Sequence, residues 1–359
     1  MTRLVGPDLD RQALILLCAP TSIGAPSVPP FGPAAWHALQ RSLAERQLTP
    51  GHLLGMTTGD LGVLAGFTAE QANRVASLLA RGGPVAIELE RLGSRGLWIT
   101  AMGDESYPPR LLEQLGTQAP PLLFGAGNVG IAAQDGLAIV GSRDADEDAI
   151  TFTETVAASA VEGGMTVISG AARGIDAAAM NSALEHGGSV VGAVADALER
   201  RIREPQVRAW LADERLCLVT PYGTNAGFSV GAAMGRNKLI YGLSAFALVV
   251  TAMPGQGGTW GGATEALKNS WTNVFVRQSS NNEPAATRLA ASGALPFPDT
   301  HDELTVERLA AWATRHAQVP EPEPLSATTE EPLQVTLFGE AEHLPSSKAR
   351  KRKPTRARS

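Results

Sequence analysis

The chain lacks the features that would point to a disulfide scaffold, a metal centre or a membrane. Only two cysteines occur in 359 residues, Cys18 and Cys217, far apart and each inside an apolar run. They read as small buried hydrophobes, and a disulfide framework is excluded. The six histidines form no HxxxH or HxxE pair and none lies near a cysteine, so no metal site is expected. No apolar run approaches the roughly 20 residues of a membrane-spanning helix, and Met1–Asp8 has no signal-peptide layout. These absences predict a cytoplasmic protein with no membrane partner.

Catalytic signatures are missing too. There is no GxxxxGK(S/T) loop, no Ser-His-Asp order and no paired catalytic carboxylates. The first strand-to-helix turn reads Gly141-Ser-Arg-Asp-Ala-Asp146 rather than GxGxxG, which argues against a dinucleotide-dependent dehydrogenase. No catalytic residue and no cofactor is expected; the site reads as one built to bind.

What is present begins with charge. The formal net charge is −6, yet the last thirteen residues carry seven cations (Lys348, Arg350, Lys351, Arg352, Lys353, Arg356, Arg358) and no acid. Everything before them therefore stands at −13, an acidic body with a basic tail. Such a tail either touches nucleic acid without sequence preference or only solubilises the chain.

Three parts are expected. Residues 1–100 alternate short amphipathic stretches with glycines and predict a small helical domain of the SAM or helix-hairpin kind. Thr68-x-x-Gln71 has the form of a capping box, followed by Ala72, Val75, Ala76 and Leu79 at helical spacing. Paired helices of this kind either grip a DNA backbone or serve only as packing modules. Tyr107-Pro-Pro-Arg-Leu-Leu112 and Ala119-Pro-Pro-Leu-Leu-Phe-Gly125 form a proline-rich connection into a short strand. Residues 101–318 then alternate apolar strands (Leu137–Val140, Thr166–Ile168, Val190–Val194, Cys217–Thr220, Ala247–Val250, Val274–Val276) with amphipathic helices. That alternation predicts an α/β domain, a doubly wound Rossmann-like parallel sheet with helices on both faces. Residues 319–359, opening on Val319-Pro-Glu-Pro-Glu-Pro-Leu325, are expected to be a disordered linker and basic tail.

In such a sheet ligands sit beyond the carboxyl ends of the strands. Gly141, Ser142 and Arg143 fall there, followed by Ser169, Gly170 and Arg173 at the next strand, suited to holding a phosphate through amides and guanidinium groups. Asp176 stands where a carboxylate can cap a helix. Arg236, Asn237 and Lys238 add cations. Positions two apart face differently on a helix, so Arg236 is assigned to the crevice and Lys238 to its rim. Gly258 and Thr259 belong to a glycine-dense turn that can wrap a phosphate, and Trp260 either stacks on a base or packs inside.

Gly141-Ser-Arg143, Ser169-Gly-Ala-Ala-Arg-Gly-Ile-Asp176 and Arg236-Asn-Lys-Leu-Ile-Tyr-Gly-Leu-Ser244 resemble the GSR, SGxAxGID and RN(R/K)xIxGLS signatures of the DprA/Smf family of DNA-processing proteins. The likeness spans about residues 104–278. It implies single-stranded DNA binding, in transformable bacteria the protection of incoming strands and the loading of RecA, and a homodimer. It also implies that Arg143 and Arg236 touch phosphate, with Lys238 nearby and Ser142, Ser169 and Gly170 completing the pocket. The chain departs from the family at Met180, where a histidine is usual, and in having no winged-helix segment; a role in repair or defence is consistent with that divergence. Gly257–Glu265 is reminiscent of the loop of LOG-type nucleotide hydrolases. A nucleotide sensor or nucleoside-monophosphate hydrolase using Glu265 is therefore the alternative. Finally, Gln334-Val-Thr-Leu-Phe338 resembles the peptides that dock on the replicative sliding clamp, with Gln334, Leu337 and Phe338 as anchors.

Overall fold

A computed structural model describes residues 7–297; the linker, the Gln334–Phe338 peptide and the basic tail lie outside the described residues. The chain starts with helices α1 (Pro7–Cys18), α2 (Pro33–Ala44), α3 (Thr58–Val63), α4 (Ala69–Leu79) and α5 (Gly82–Gly93). Their starts are set by local chemistry. Pro33 opens α2, and the Thr57–Asp60 and Thr68–Gln71 pairs each exchange side-chain and backbone hydrogen bonds in reciprocal capping boxes. Arg81 fastens this part from within, its guanidinium donating to the carbonyls of Leu16, Ala19 and Ile23.

The rest is built on one sheet. In chain order it runs β1 (Leu97–Ala101), α6 (Pro109–Leu115), β2 (Leu122–Gly127), β3 (Gly136–Val140), α7 (Glu147–Glu162), β4 (Thr166–Ser169), α8 (Ile175–Glu185) and β5 (Val190–Ala193). It continues with α9 (Leu198–Arg201), α10 (Pro205–Ala212), β6 (Leu216–Thr220), α11 (Val230–Leu243), β7 (Phe246–Val249), α12 (Gly257–Lys268), β8 (Asn273–Arg277), α13 (Glu283–Ala290) and β9 (Leu295–Phe297). The strand order is β1-β2-β6-β5-β4-β3-β7-β8-β9. The seven strands from β6 to β9 in that order are parallel, and β2 and β1 are added antiparallel at the β6 edge.

The doubly wound Rossmann-like class read from the alternation is the class observed. The central strands are buried along their length, as strands covered on both faces must be. One face packs on α7 and α8 through Phe152, Val156 and Ala179, in a cluster that also takes in Leu17, Trp36 and Val75 of the leading helices. The other face packs on α6, α11, α12 and α13 through Leu111, Leu239, Ala263 and Leu289. The antiparallel strand β1, the α9–α10 excursion, α13 and β9 were not apparent from periodicity. None of the described helices is long and apolar enough to cross a membrane.

The order of strands fixes where a site can form. From β3 the chain steps outward through β4, β5 and β6, then crosses back so that β7 pairs with the free edge of β3. The loops leaving β3 and β7 therefore diverge, opening a crevice beyond their carboxyl ends.

Candidate nucleic-acid interface

The turn after β3 and the loop after β7 form the two walls of a crevice of about 410 Å³. Two hydrogen bonds hold the walls together: the Ser142 amide donates to Thr251 Oγ1 at 3.0 Å, and Thr259 Oγ1 donates to the Gly141 carbonyl at 2.8 Å. Gly174 turns the chain into α8 at φ +76°, where a Cβ would meet the Ser142 carbonyl oxygen. A side chain there would be both strained and blocked.

The crevice floor holds two buried, opposite charges. Arg236, on α11, and Asp176, on α8, are 6% and 7% exposed. Burial raises the Asp176 carboxyl above its ordinary range, opposed by the Arg236 charge, the Ala172 amide, Ser169 and Arg143. Burial likewise weighs against the Arg236 charge, and Asp176 supports it. A guanidinium at this depth stays protonated. Among the described residues its Nε nevertheless has no hydrogen-bond partner, and neither has the buried hydroxyl of Tyr241, a residue that also lines the crevice. Arg143 stands exposed at the mouth, its guanidinium 5.6 Å from the centre of the Phe228 ring. Two unsatisfied buried donors behind a second cation describe a hollow that suits an anion carrying several acceptor oxygens.

Several residues assigned from the sequence do line this hollow: Gly141, Ser142, Arg143, Arg236, Asn237, Gly258 and Thr259. Asn237 faces across it, donating from Nδ2 to the Gly258 carbonyl at 2.9 Å. Others stand elsewhere. Ser169 is fully buried, with its hydroxyl donated to the Ile139 carbonyl, and Gly170 only leaves room for Arg236. Arg173 forms an exposed ion pair with Asp144 at 2.8 Å, away from the lining. Lys238, expected at the rim, points to the other side of α11. There it meets Gln118 Oε1 at 2.6 Å and Glu265 Oε1 at 3.2 Å, beside a separate cavity of about 500 Å³. Trp260 packs against the buried cluster under the sheet rather than into the crevice. Asp176 is not the cap of α8, because Gly174 is the N-cap residue and Asp176 instead accepts from the Ala172 amide and neutralises Arg236.

Sequence reasoning missed Phe228, which at 55% exposure stands with Val230 and Met253 as an apolar lip around the cations. Its signal was a lone aromatic in the loop Thr224-Asn-Ala-Gly-Phe-Ser229, where no core periodicity asks for one. It also missed Arg201, whose Nη1 donates to the Ala171 carbonyl at 3.0 Å beside the crevice.

A family model described as DNA recombination-mediator protein A matches residues 98–306. The chain belongs to that family. It is 32% identical over 161 residues to protein Smf of Synechocystis, covering 43% of this chain and 40% of that one. It is 30% identical over 151 residues to DNA processing protein DprA of Streptococcus pneumoniae, covering 42% of this chain and 52% of that one. The matched segment thus spans about half or less of these curated relatives. The crystal structure of the pneumococcal DprA superposes with a TM-score of 0.60 at 18% identity, covering 86% of this chain and 98% of that one, and so shares the fold. The GSR, SGxAxGID and RNK motifs that carry the DprA/Smf likeness all lie within the matched region.

Proposed function

We propose that this protein binds single-stranded DNA in the crevice between the β3 and β7 loops, as part of DNA processing in recombination. A phosphate sits against Arg236, Arg143 and the amides of Gly257 and Gly258 at the start of α12, and the neighbouring base lies on Phe228. The observation that carries this reading is Arg236, a buried guanidinium that lines an open hollow behind Arg143 and makes no hydrogen bond or ion pair among the described residues. The apolar lip favours a strand over a free anion, because every base has a face that an aromatic ring can cover. Family membership supports the DNA-processing role.

Loading of RecA onto the bound strand, a homodimeric assembly and docking on the sliding clamp through Gln334–Phe338 are further parts of this proposal that rest on resemblance alone. The nucleotide-hydrolase alternative draws less support. Its candidate base, Glu265, is bound to Lys238 outside the crevice, and the only carboxylate lining the crevice among the described residues is Asp176, which is buried beside the Arg236 charge.

Fluorescence anisotropy of a labelled oligothymidylate across a salt series tests the reading. Arg143→Ala should weaken binding about tenfold or more and lower the salt slope by about 0.7, the share of a single phosphate neutralised on a single strand. Lys238→Ala should leave both unchanged. Unaltered binding by an Arg143→Ala/Arg236→Ala double variant would exclude the crevice. Displacement of the strand by nucleoside monophosphates at micromolar concentration would favour a free nucleotide as the ligand.

A further inference from the structure

Beyond the crevice, the α9–α10 corner carries a second group of cations that the crevice does not use. Glu199, 2% exposed on α9, accepts from Arg91 Nη2 at 2.7 Å, Arg95 Nη1 at 2.5 Å, Thr224 Oγ1 at 2.7 Å and Asn225 Nδ2 at 2.7 Å. Arg91 is further held by Glu88. The carboxylate is saturated and has nothing left for the arginines on its other side.

Those are Arg203 and Arg208, which with Arg95, Glu199 and Ile202 line a hollow of about 430 Å³. Both are exposed, and neither side chain makes an ion pair or hydrogen bond among the described residues. Glu204, the N-cap residue of α10, stands four residues before Arg208, yet only its backbone carbonyl meets the Arg208 amide. Around the hollow four guanidinium groups, Arg91, Arg95, Arg203 and Arg208, therefore stand with the three carboxylates of Glu88, Glu199 and Glu204. In a body whose charge is otherwise acidic, this is a local reversal of sign, and the uncompensated part of it points to solvent.

Its position is as informative as its charge. Arg203 follows Arg201 by two residues, at most about 7 Å along the chain. Arg201 in turn, paired with Asp196 at 3.2 Å, donates to the Ala171 carbonyl beside the crevice and adds to the positive field at Arg236. Cations thus continue from Arg236 through Arg201 to Arg203 and Arg208 along the carboxyl edge of β4 and β5.

We propose that Arg203 and Arg208, with Arg95 beside them, form a second phosphate-binding patch for the same single strand, which leaves the crevice past Arg201 and crosses α9 and α10. This extends the reading of the crevice as a strand-binding site and rests on it.

The test uses the full chain and two labelled oligothymidylates, one of about 5 nucleotides, near the low end of ordinary strand footprints, and one of about 20. Arg203→Ala/Arg208→Ala changes two solvated side chains and should leave the thermal midpoint in place. It should weaken the long strand about tenfold or more and lower its salt slope by about 1.4, while the short strand, filling only the crevice, keeps its affinity. Unchanged affinity and slope for the long strand would overturn the patch. Loss confined to the long strand in this variant, with Arg143→Ala/Arg236→Ala inert toward both strands, would retain the patch and sink the crevice. Wild-type protein that binds neither strand would overturn both.

Discussion

A Cβ built on Gly170 falls inside the guanidinium of Arg236. The glycine of the second motif and the arginine of the third, 66 positions apart, are thus two halves of one device: the first vacates the volume that the second fills. Gly170→Ala should push Arg236 out of place, at an overpacking cost of about 1–3 kcal/mol. Single-strand affinity should fall about tenfold or more while the circular dichroism spectrum stays native. Full affinity in this variant would show that the position of Arg236 is unimportant to binding.

The Arg236–Asp176 pair separates stability from binding. Arg236→Ala leaves a carboxylate buried without its counter-ion, a change that costs about 3–5 kcal/mol. Because burial already raises the Asp176 pKa, the folded variant holds a proton that the unfolded chain releases. Its stability should therefore drop as pH rises above the ordinary carboxyl value of about 3.8 and recover on acidification. Arg236→Met/Asp176→Asn removes both charges and should regain much of the denaturation midpoint without regaining any strand affinity. If the double variant binds DNA, the buried cation is not the anchor.

How much of this could be read from the sequence follows from how local each signal is. β3, β4 and β5 were legible to within a residue or two, since a fully buried strand is written in consecutive residues. β1 was not, because Leu97–Ala101 is a short edge strand whose only distinction is its pairing with β2. The divergent helix faces of Arg236 and Lys238 were also legible, and the crevice did take Arg236. What lies on the far side of α11 depends on Gln118 and Glu265, which only folding brings near Lys238. Trp260 shows the same limit: on α12 it follows Thr259, whose hydroxyl reaches Gly141, and one step of about 100° turns it away to the core.

Glu199 fastens the leading helices to the sheet and predicts an acid-side transition. In the unfolded chain it takes up a proton near its ordinary 4.5; hydrogen bonds from Arg91, then Thr224 and Arg95, hold it at about 2 in the fold. Between those values the unfolded state binds more protons, so this contribution is complete above about pH 4.5 and is lost as pH falls toward 2. The difference is worth about 3 kcal/mol at neutral pH. Glu199→Gln should lower stability at pH 7 by that order and flatten the pH dependence below 4.5, as followed by urea unfolding. An acid limb of unchanged steepness would mean that other carboxylates govern it.

Phe228 separates stacking from charge. It is the aromatic ring at the mouth of the crevice, more than half exposed, with the Arg143 guanidinium lying over it. Because the ring is solvated, Phe228→Ala takes nothing from the core and should leave the thermal midpoint within about 1 °C of wild type, surface changes usually falling within about 0.5 kcal/mol. Loss of base stacking should nonetheless cost about 1–3 kcal/mol of strand affinity. Every phosphate-binding cation remains when the ring goes, so the line of log affinity against log salt should shift downward without changing slope. Phe228→Trp should restore or exceed the wild-type value. A change of slope in Phe228→Ala would mean that the ring acts by holding Arg143 in place, and an abasic oligonucleotide that binds as tightly as oligothymidylate would remove the base from the site altogether.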